Sequence, residues 1–125
     1  MKNKAWRCFS KYIRVRDCLK TTGFVDQGQC VTCNKFFPIS ELQAGHAIGG
    51  RNNSILFDEK LVNAQCRICN GYGNGKYAEY SLWFIQKYGI EEWEKKIKLS
   101  HELAVDIDYQ EIINKYTNKL NKLLE

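Results

Sequence analysis

Apolar residues recur with a helical period at both ends of the chain, and the middle breaks into short runs punctuated by glycine, asparagine and cysteine. Over residues 4–20, Trp6, Phe9, Ile13 and Cys18 share one stripe with Lys and Arg opposite, which predicts an amphipathic helix. Gly23 and Gly28 in "TTGFVDQGQ" end it. "CVTCNKFFPIS" predicts a tight turn leading into a short strand, and Pro38, which lacks an N–H, argues against a central place in a sheet. "ELQAGHAI" reads as extended, and "GGRNNS" as a turn or loop built on Gly49, Gly50, Asn52 and Asn53. "ILFDEKLVNAQ" is expected to begin extended and to become a loop before Cys66. Tyr77, Tyr80, Leu82, Trp83, Phe84, Ile85 and Tyr88 fill a helix stopped by Gly89. Ile90, Trp93, Ile97 and Leu103 mark another. Asp108 and Glu111 form a capping-box pattern ahead of Ile112, Tyr116, Leu120 and Leu123. The order is a helix, a small β-hairpin, then two or three helices, an α+β class.

The 125 residues suffice for one domain, 1–125. It divides into a basic N-terminal helix (1–22), a cysteine-bounded core (28–75) and a helical C-terminal part (76–125). Hydrophobic content of 44% with 26% charged residues excludes wholesale disorder. The net charge of +5 is uneven: Lys2, Lys4, Arg7, Lys11, Arg14, Arg16 and Lys20 face only Asp17 in the first twenty residues. Such an end meets phosphate or forms a solvated helix face, and charge alone leaves both open. No run reaches the ~18 apolar residues of a membrane span, and the N-terminus has no apolar export segment. The expectation is a cytoplasmic chain with no membrane partner and with reduced thiols.

Six cysteines change the picture. Cys30-Val-Thr-Cys33 and Cys66-Arg-Ile-Cys69 each chelate an ion from a tight turn, and together they complete the tetrahedral shell of a structural Zn²⁺. Neither pair lies in a thioredoxin-like setting, which leaves little room for a redox role. Cys8 and Cys18 stand alone in the first helix and read as small core residues. A Cys₄ zinc keeps no open position for substrate, so any chemistry needs other groups.

Those groups lie inside the insert: His46, Asp58, Glu59 and Asn63, with Asn70 directly after the last cysteine. If Cys66–Asn70 opens a helix, a strand histidine and a helix-start carboxamide can converge on one point. Hard donors of this kind hold a hydrolytic metal ion, and a neutral imidazole can deprotonate water near pH 7. The bland alternatives are a satisfied structural histidine and ordinary turn or cap asparagines. His101, on an acidic helix, reads as surface decoration.

"CVTC", "AGHAIGG" and "FDEKLVNAQCRICN", in that order, resemble the HNH or ββα-metal nucleases with a Cys₄ zinc, and most closely the phage NinG/Rap recombination endonuclease family, associated with branched DNA. The likeness extends to "FSKYIRVRDC" and "AEYSLWFIQKYG", covering roughly residues 6–90. It implies a zinc-stapled ββα-metal core in which Cys30, Cys33, Cys66 and Cys69 hold zinc, His46 activates water, and Asn70 is a ligand of a divalent ion, Mg²⁺ or Mn²⁺. The sequence departs from the pattern at two positions. Gly45 stands where many HNH nucleases carry an acid or histidine, and the central asparagine falls on Leu61. Asn63, two residues on and ~7 Å along an extended chain, is a candidate catalytic residue, and His46, Asp58 or Glu59 could supply the second metal ligand. Arg51, Arg67 and Lys76, with Arg14 and Arg16 of the first helix, are the candidate phosphate contacts. The implied function is metal-dependent hydrolysis of branched DNA by a homodimer. The alternative is a zinc-stapled DNA-binding module without catalysis.

Overall fold

The computed structural model describes residues 1–103 and 105–125. Helix α1 (Lys2–Thr22) is followed by strands β1 (Gln27–Gln29), β2 (Phe36–Pro38) and β3 (Leu42–His46), a single turn α2 (Asn53–Leu56), and strand β4 (Val62–Cys66). A five-residue π-helical turn, Ile68–Tyr72, leads to helices α3 (Tyr77–Tyr88), α4 (Ile90–Ser100) and α5 (Tyr109–Leu123). The expected α+β architecture, with a helix before the cysteine-rich hairpins and three after, is what forms. No helix among the described residues is long and apolar enough to cross a membrane.

The α1 stripe buries Ala5, Phe9, Tyr12, Ile13, Val15 and Cys18, a spacing that keeps one face dry. Gly23 ends the helix in a left-handed conformation (φ 80°), its N–H bonded to Leu19 O. Helix α5 lies against α1 through Tyr116, whose ring meets Phe9 edge-on at 4.7 Å. Asp108 caps α5 by accepting from Glu111 N at 3.1 Å, as the sequence pattern predicts.

Two antiparallel pairs make the β structure. In the first, Gly28 faces Phe37, and Pro38 sits at the end of the three-residue strand β2 in a two-stranded sheet, where its missing N–H costs little. In the second, β3 and β4 pair with Leu42 opposite Cys66, Gly45 opposite Asn63 and His46 opposite Val62. Alternation places Ala44, His46, Val62 and Ala64 on one face, where α1 covers them: Phe9 and Ile13 pack with Ala44 and Val62, Cys18 with Ala64, and Trp6 with His46. Gln43, Gly45, Asn63 and Gln65 occupy the other face, where Tyr80 of α3 donates to Gly45 O at 2.7 Å.

The segment between the strands corrects the sequence expectation. Ile55 and Leu56 are helical rather than extended, and Val62–Cys66, expected as a loop, forms strand β4. The cause lies in Asp58, whose Oδ1 accepts from Lys60 N and Leu61 N and closes a tight turn that delays the strand. Ile55, Leu56 and Leu61 are fully buried, Ile55 and Leu61 against Ala47, Tyr80 and Phe84, so tertiary burial overrides the β-branched local signal.

The two edges of the β3–β4 hairpin differ. The outer side of β4 is covered: Ala64 N donates to Asp17 Oδ2 at 2.7 Å, and Ala64 O accepts from Val31 N. The outer side of β3 opens onto a groove of ≈ 350 Å³ between α1 and the π-helical turn.

Candidate functional site

The four paired cysteines converge. Their Sγ atoms all lie within 4.8 Å of one another, with Cys33 and Cys66 at 4.0 Å. A tetrahedral zinc with Zn–S near 2.3 Å has sulfur–sulfur edges of about 3.8 Å, so the cluster fits that ion. In each knuckle the fourth residue's N–H points at the first sulfur: Cys33 N to Cys30 Sγ at 3.5 Å and Cys69 N to Cys66 Sγ at 3.4 Å. Burial pushes the Cys30 thiol up, but N–H bonds from Cys33 and Cys66 outweigh it and bring the group down to about 6, favouring the thiolate. Cys18 lies outside this set; it is buried against Gly28, its thiol pushed up to about 11 by desolvation, and packs as a core residue. Cys8 is half-buried beside Thr117.

His46 ends β3, only 7% exposed. Its Nε2 lies 3.1 Å from Leu56 O. A carbonyl can only accept, so the neutral ring carries its hydrogen on Nε2 and leaves a lone pair on Nδ1. Among the described residues Nδ1 has no hydrogen-bond partner, and it is not one of the two fully buried, unpaired side-chain atoms, Ser54 Oγ and Gln65 Oε1. Trp6 stacks on the ring, centroids 5.3 Å apart and planes 15° from parallel. Desolvation lowers the imidazole pKa to about 4, aided by nearby Arg51 and opposed by the Leu56 bond and by Asp58. The ring is thus neutral at pH 7.

Arg51 completes that corner. It follows Gly50 (φ 96°) and itself adopts φ 52°, a conformation rare outside glycine and asparagine. The turn aims its guanidinium at Trp6, Cζ 4.4 Å from a ring centroid. Arg51 and Trp6 line the β3-edge groove with Ser10, Arg14, Gln43 and Asn70. Two arginines over one groove make it electropositive, and Arg14 is held by its own helix through Nε to Ser10 O.

Asn70 sits in the middle of the π-helical turn, not at the start of a longer helix as the sequence suggests. It points toward Gly45: a Cβ on residue 45 would stand 3.1 Å from Asn70 Oδ1 and would collide with Gln65 Oε1. Asn70 Nδ2 donates to Gln43 Oε1 at 2.8 Å. The histidine ring and the carboxamide flank the free edge of β3 instead of meeting on one face, because Gly45 and His46, as neighbours in a strand, face opposite ways.

Several candidates are committed elsewhere. Asn63 is 4% exposed and donates to Lys60 O and Tyr80 Oη while accepting from Arg16. Asp58 caps its turn and pairs with Lys96 at 2.6 Å, and Glu59 binds Tyr12, Tyr116 and Lys119, so neither carboxylate is free to take a metal ion. Arg16, a candidate phosphate contact in the sequence, is committed inside the fold: its guanidinium bonds Asp17, Glu59 O, Val62 O and Asn63 and ties α1 to β4. Arg67 is exposed and 3.6 Å from Glu41. Lys76 is exposed at the head of α3, with φ 51°. Neither lines the groove. His101 is exposed at the C-terminus of α4.

Two residues of the site escaped the sequence reading. Trp6 appeared only as part of a helical stripe, although it covers His46. Gln65 appeared only as a letter before Cys66; its signal was the strand parity it shares with Gln43, Gly45 and Asn63, legible only once the hairpin register is known.

A search of curated proteins and a search of solved structures each found no significant match to the chain. The family model described as bacteriophage lambda NinG protein matches residues 1–125. With that match spanning every residue, including the converged cysteine pairs, the chain belongs to the NinG family.

Proposed function

We propose that this protein is a metal-dependent endonuclease of the HNH type that hydrolyses phosphodiesters in branched DNA. Membership of the NinG family points to a phage recombination-related role; the nuclease reading goes further and rests on the site. The observation that carries it is the His46 imidazole: one nitrogen is fixed as a donor by Leu56 O, the other is an unpaired base, beside a groove bearing Arg14, Arg51 and Asn70.

In this reading Arg51 and Arg14 hold the phosphate across the β3 edge by charge-assisted bonds. Nδ1 of His46 accepts a proton from water, the hydroxide adds to phosphorus, and the P–O3′ bond breaks; the departing 3′ oxygen takes a proton from solvent water, leaving a 5′-phosphate and a 3′-hydroxyl. An imidazole whose pKa is about 4 is a weak base. A phosphate anion entering the groove would raise that pKa by favouring the charged ring. Asn70 is the residue that would hold Mg²⁺ or Mn²⁺; such an ion, when bound, neutralises the phosphoryl oxygens and the leaving oxygen. A zinc held by Cys30, Cys33, Cys66 and Cys69 would tie the end of β4 to the turn carrying Asn70. A homodimer would present two such grooves to a symmetric junction.

A second reading, a zinc-stapled DNA-binding module without catalysis, is favoured by Gly45 and by the engagement of Asp58 and Glu59 within the fold. The deciding experiment incubates zinc-loaded protein with linear, flapped and four-way DNA and Mg²⁺ or Mn²⁺. The endonuclease cuts a branched substrate, and His46→Ala loses cutting by about 10²–10⁴-fold while binding DNA normally. Salt-sensitive binding with no cutting of any substrate selects the binding module.

A further inference from the structure

Gln65 is fully buried, yet its Oε1 has no hydrogen-bond partner. Its orientation is not free. Nε2 donates to Gly75 O at 2.8 Å and to Thr32 Oγ1 at 3.2 Å. Because Gly75 O can only accept, the amide nitrogen must face it, and the oxygen must face the opposite way, toward Gly45. An unpaired buried acceptor is costly, and each one in a native fold calls for an explanation such as a bound water or ion.

The place it faces is specific. Oε1 fills the position that a side chain on residue 45 would occupy, and Asn70 Oδ1 lies 3.1 Å from that same position. Asn70 also lines the groove, whereas Gly45 and Gln65 do not, so an ion reaches the buried Gln65 oxygen from the groove by displacing the Asn70 carboxamide from its present position. No carboxylate is within this set: Glu41, four residues before Gly45, pairs with Arg67, and Asp58 and Glu59 are engaged by Lys96 and Lys119.

We infer that Gln65 Oε1 and Asn70 Oδ1 form a divalent-cation subsite, with Gln65 supplying from β4 the donor that Gly45 cannot supply from β3. Two carboxamide oxygens are hard donors suited to Mg²⁺ or Mn²⁺, which keep most of their water shell. Neither oxygen is charged, so the free protein binds such an ion weakly, and an anionic ligand in the adjoining groove strengthens it. Gly45 is required because any Cβ there would displace the Gln65 oxygen. The inference deepens the endonuclease reading, but cation binding is measurable without cleavage.

The test titrates zinc-loaded full-length protein with Mn²⁺ and follows paramagnetic broadening by NMR, with Mg²⁺ as a diamagnetic competitor. The expected result is that the side-chain amide signals of Gln65 and Asn70 broaden first and recover when Mg²⁺ is added. Gln65→Ala weakens Mn²⁺ binding at least tenfold. Gly45→Asp/Gln65→Ala restores or exceeds the wild-type affinity, a rescue that a purely structural glutamine would not give. Broadening centred elsewhere overturns the inference. So does an Asn70 amide turned over to donate to Gln65 Oε1, which would appear as a wild-type site that takes no Mn²⁺. These wild-type measurements decide even if a variant does not fold. Cleavage of branched DNA by a protein whose Mn²⁺ binding ignores Gln65 would end this inference and leave the endonuclease standing; Mn²⁺ held at Gln65 by a protein that cuts nothing would do the reverse.

Discussion

Trp6 and His46, forty residues apart in sequence, lie stacked with ring centroids 5.3 Å apart, joining the first turns of α1 to the end of β3. The indole removes water from one face of the imidazole and offers its other surroundings to Arg51. One contact thereby sets the ring's orientation, its desolvation and the position of the nearest cation. Trp6→Leu should keep the helix and part of the burial but lose the stack. The expected outcome is a His46 pKa that moves up toward the ordinary value, read from ring shifts by NMR, together with weaker DNA binding from a released Arg51.

Acid should reveal the buried imidazole. Its folded pKa, about 4, is below the ordinary 6.5, so the unfolded chain binds more protons between those values and stability rises with pH across that window. The contribution is complete above pH 6.5 and is lost as pH falls through 4, on the order of 3 kcal/mol in all. Comparing wild type with His46→Gln cancels contributions common to both, including proton competition for zinc. The stability difference between them should shrink steadily from pH 6.5 to 4; a pH-independent difference would contradict a low folded pKa.

The two arginines of α1 should separate by phenotype. Arg16→Ala leaves Asp17 and Asn63 without their cation and should destabilise the fold by about 3–5 kcal/mol, as breaking a buried pair does. Arg14→Ala, at the groove, should cost less than about 0.5 kcal/mol, yet reduce the slope of log affinity against log salt by about one. Chemical denaturation and salt-dependent DNA titrations measure both.

Zinc removal should act on the hairpins before the helices. Metal analysis should find one zinc per chain, and Cys69→Ser should lower its retention sharply. Without the ion, four thiols packed within 4.8 Å lose their shared partner, and amide exchange should accelerate in β1 to β4 and the π-helical turn. The α1–α5 pairing, which rests on Phe9, Ile13 and Tyr116, should stay protected.

Gly28→Ala offers a purely steric check. A Cβ there would meet Cys18 Sγ at 2.8 Å and its backbone Cα at 3.0 Å, so β1 would have to lift from α1. A loss of about 1–3 kcal/mol is expected by thermal denaturation, with Cys18→Ala in the same chain recovering part of it.

Helix periodicity, the glycine stops at Gly23 and Gly89, the Asp108 cap and the pairing of Cys30-x-x-Cys33 with Cys66-x-x-Cys69 were determined by the sequence itself, because each depends on residues a few positions apart or on ligand chemistry that admits few partners. What the chain does with Asp58, Asn63, Arg16 and Gln65 was decided only by the tertiary structure. A carboxylate, a carboxamide or a guanidinium has the same letter whether it meets a ligand or a neighbouring backbone, and its role depends on which groups the fold brings within about 3 Å. The hairpin register is the clearest case. By setting Gly45 opposite Asn63 it puts Gln65 and Asn70 on one face and His46 under Trp6 on the other. That division follows from the two-residue alternation of a strand, and it takes the pairing partner to decide which face is which.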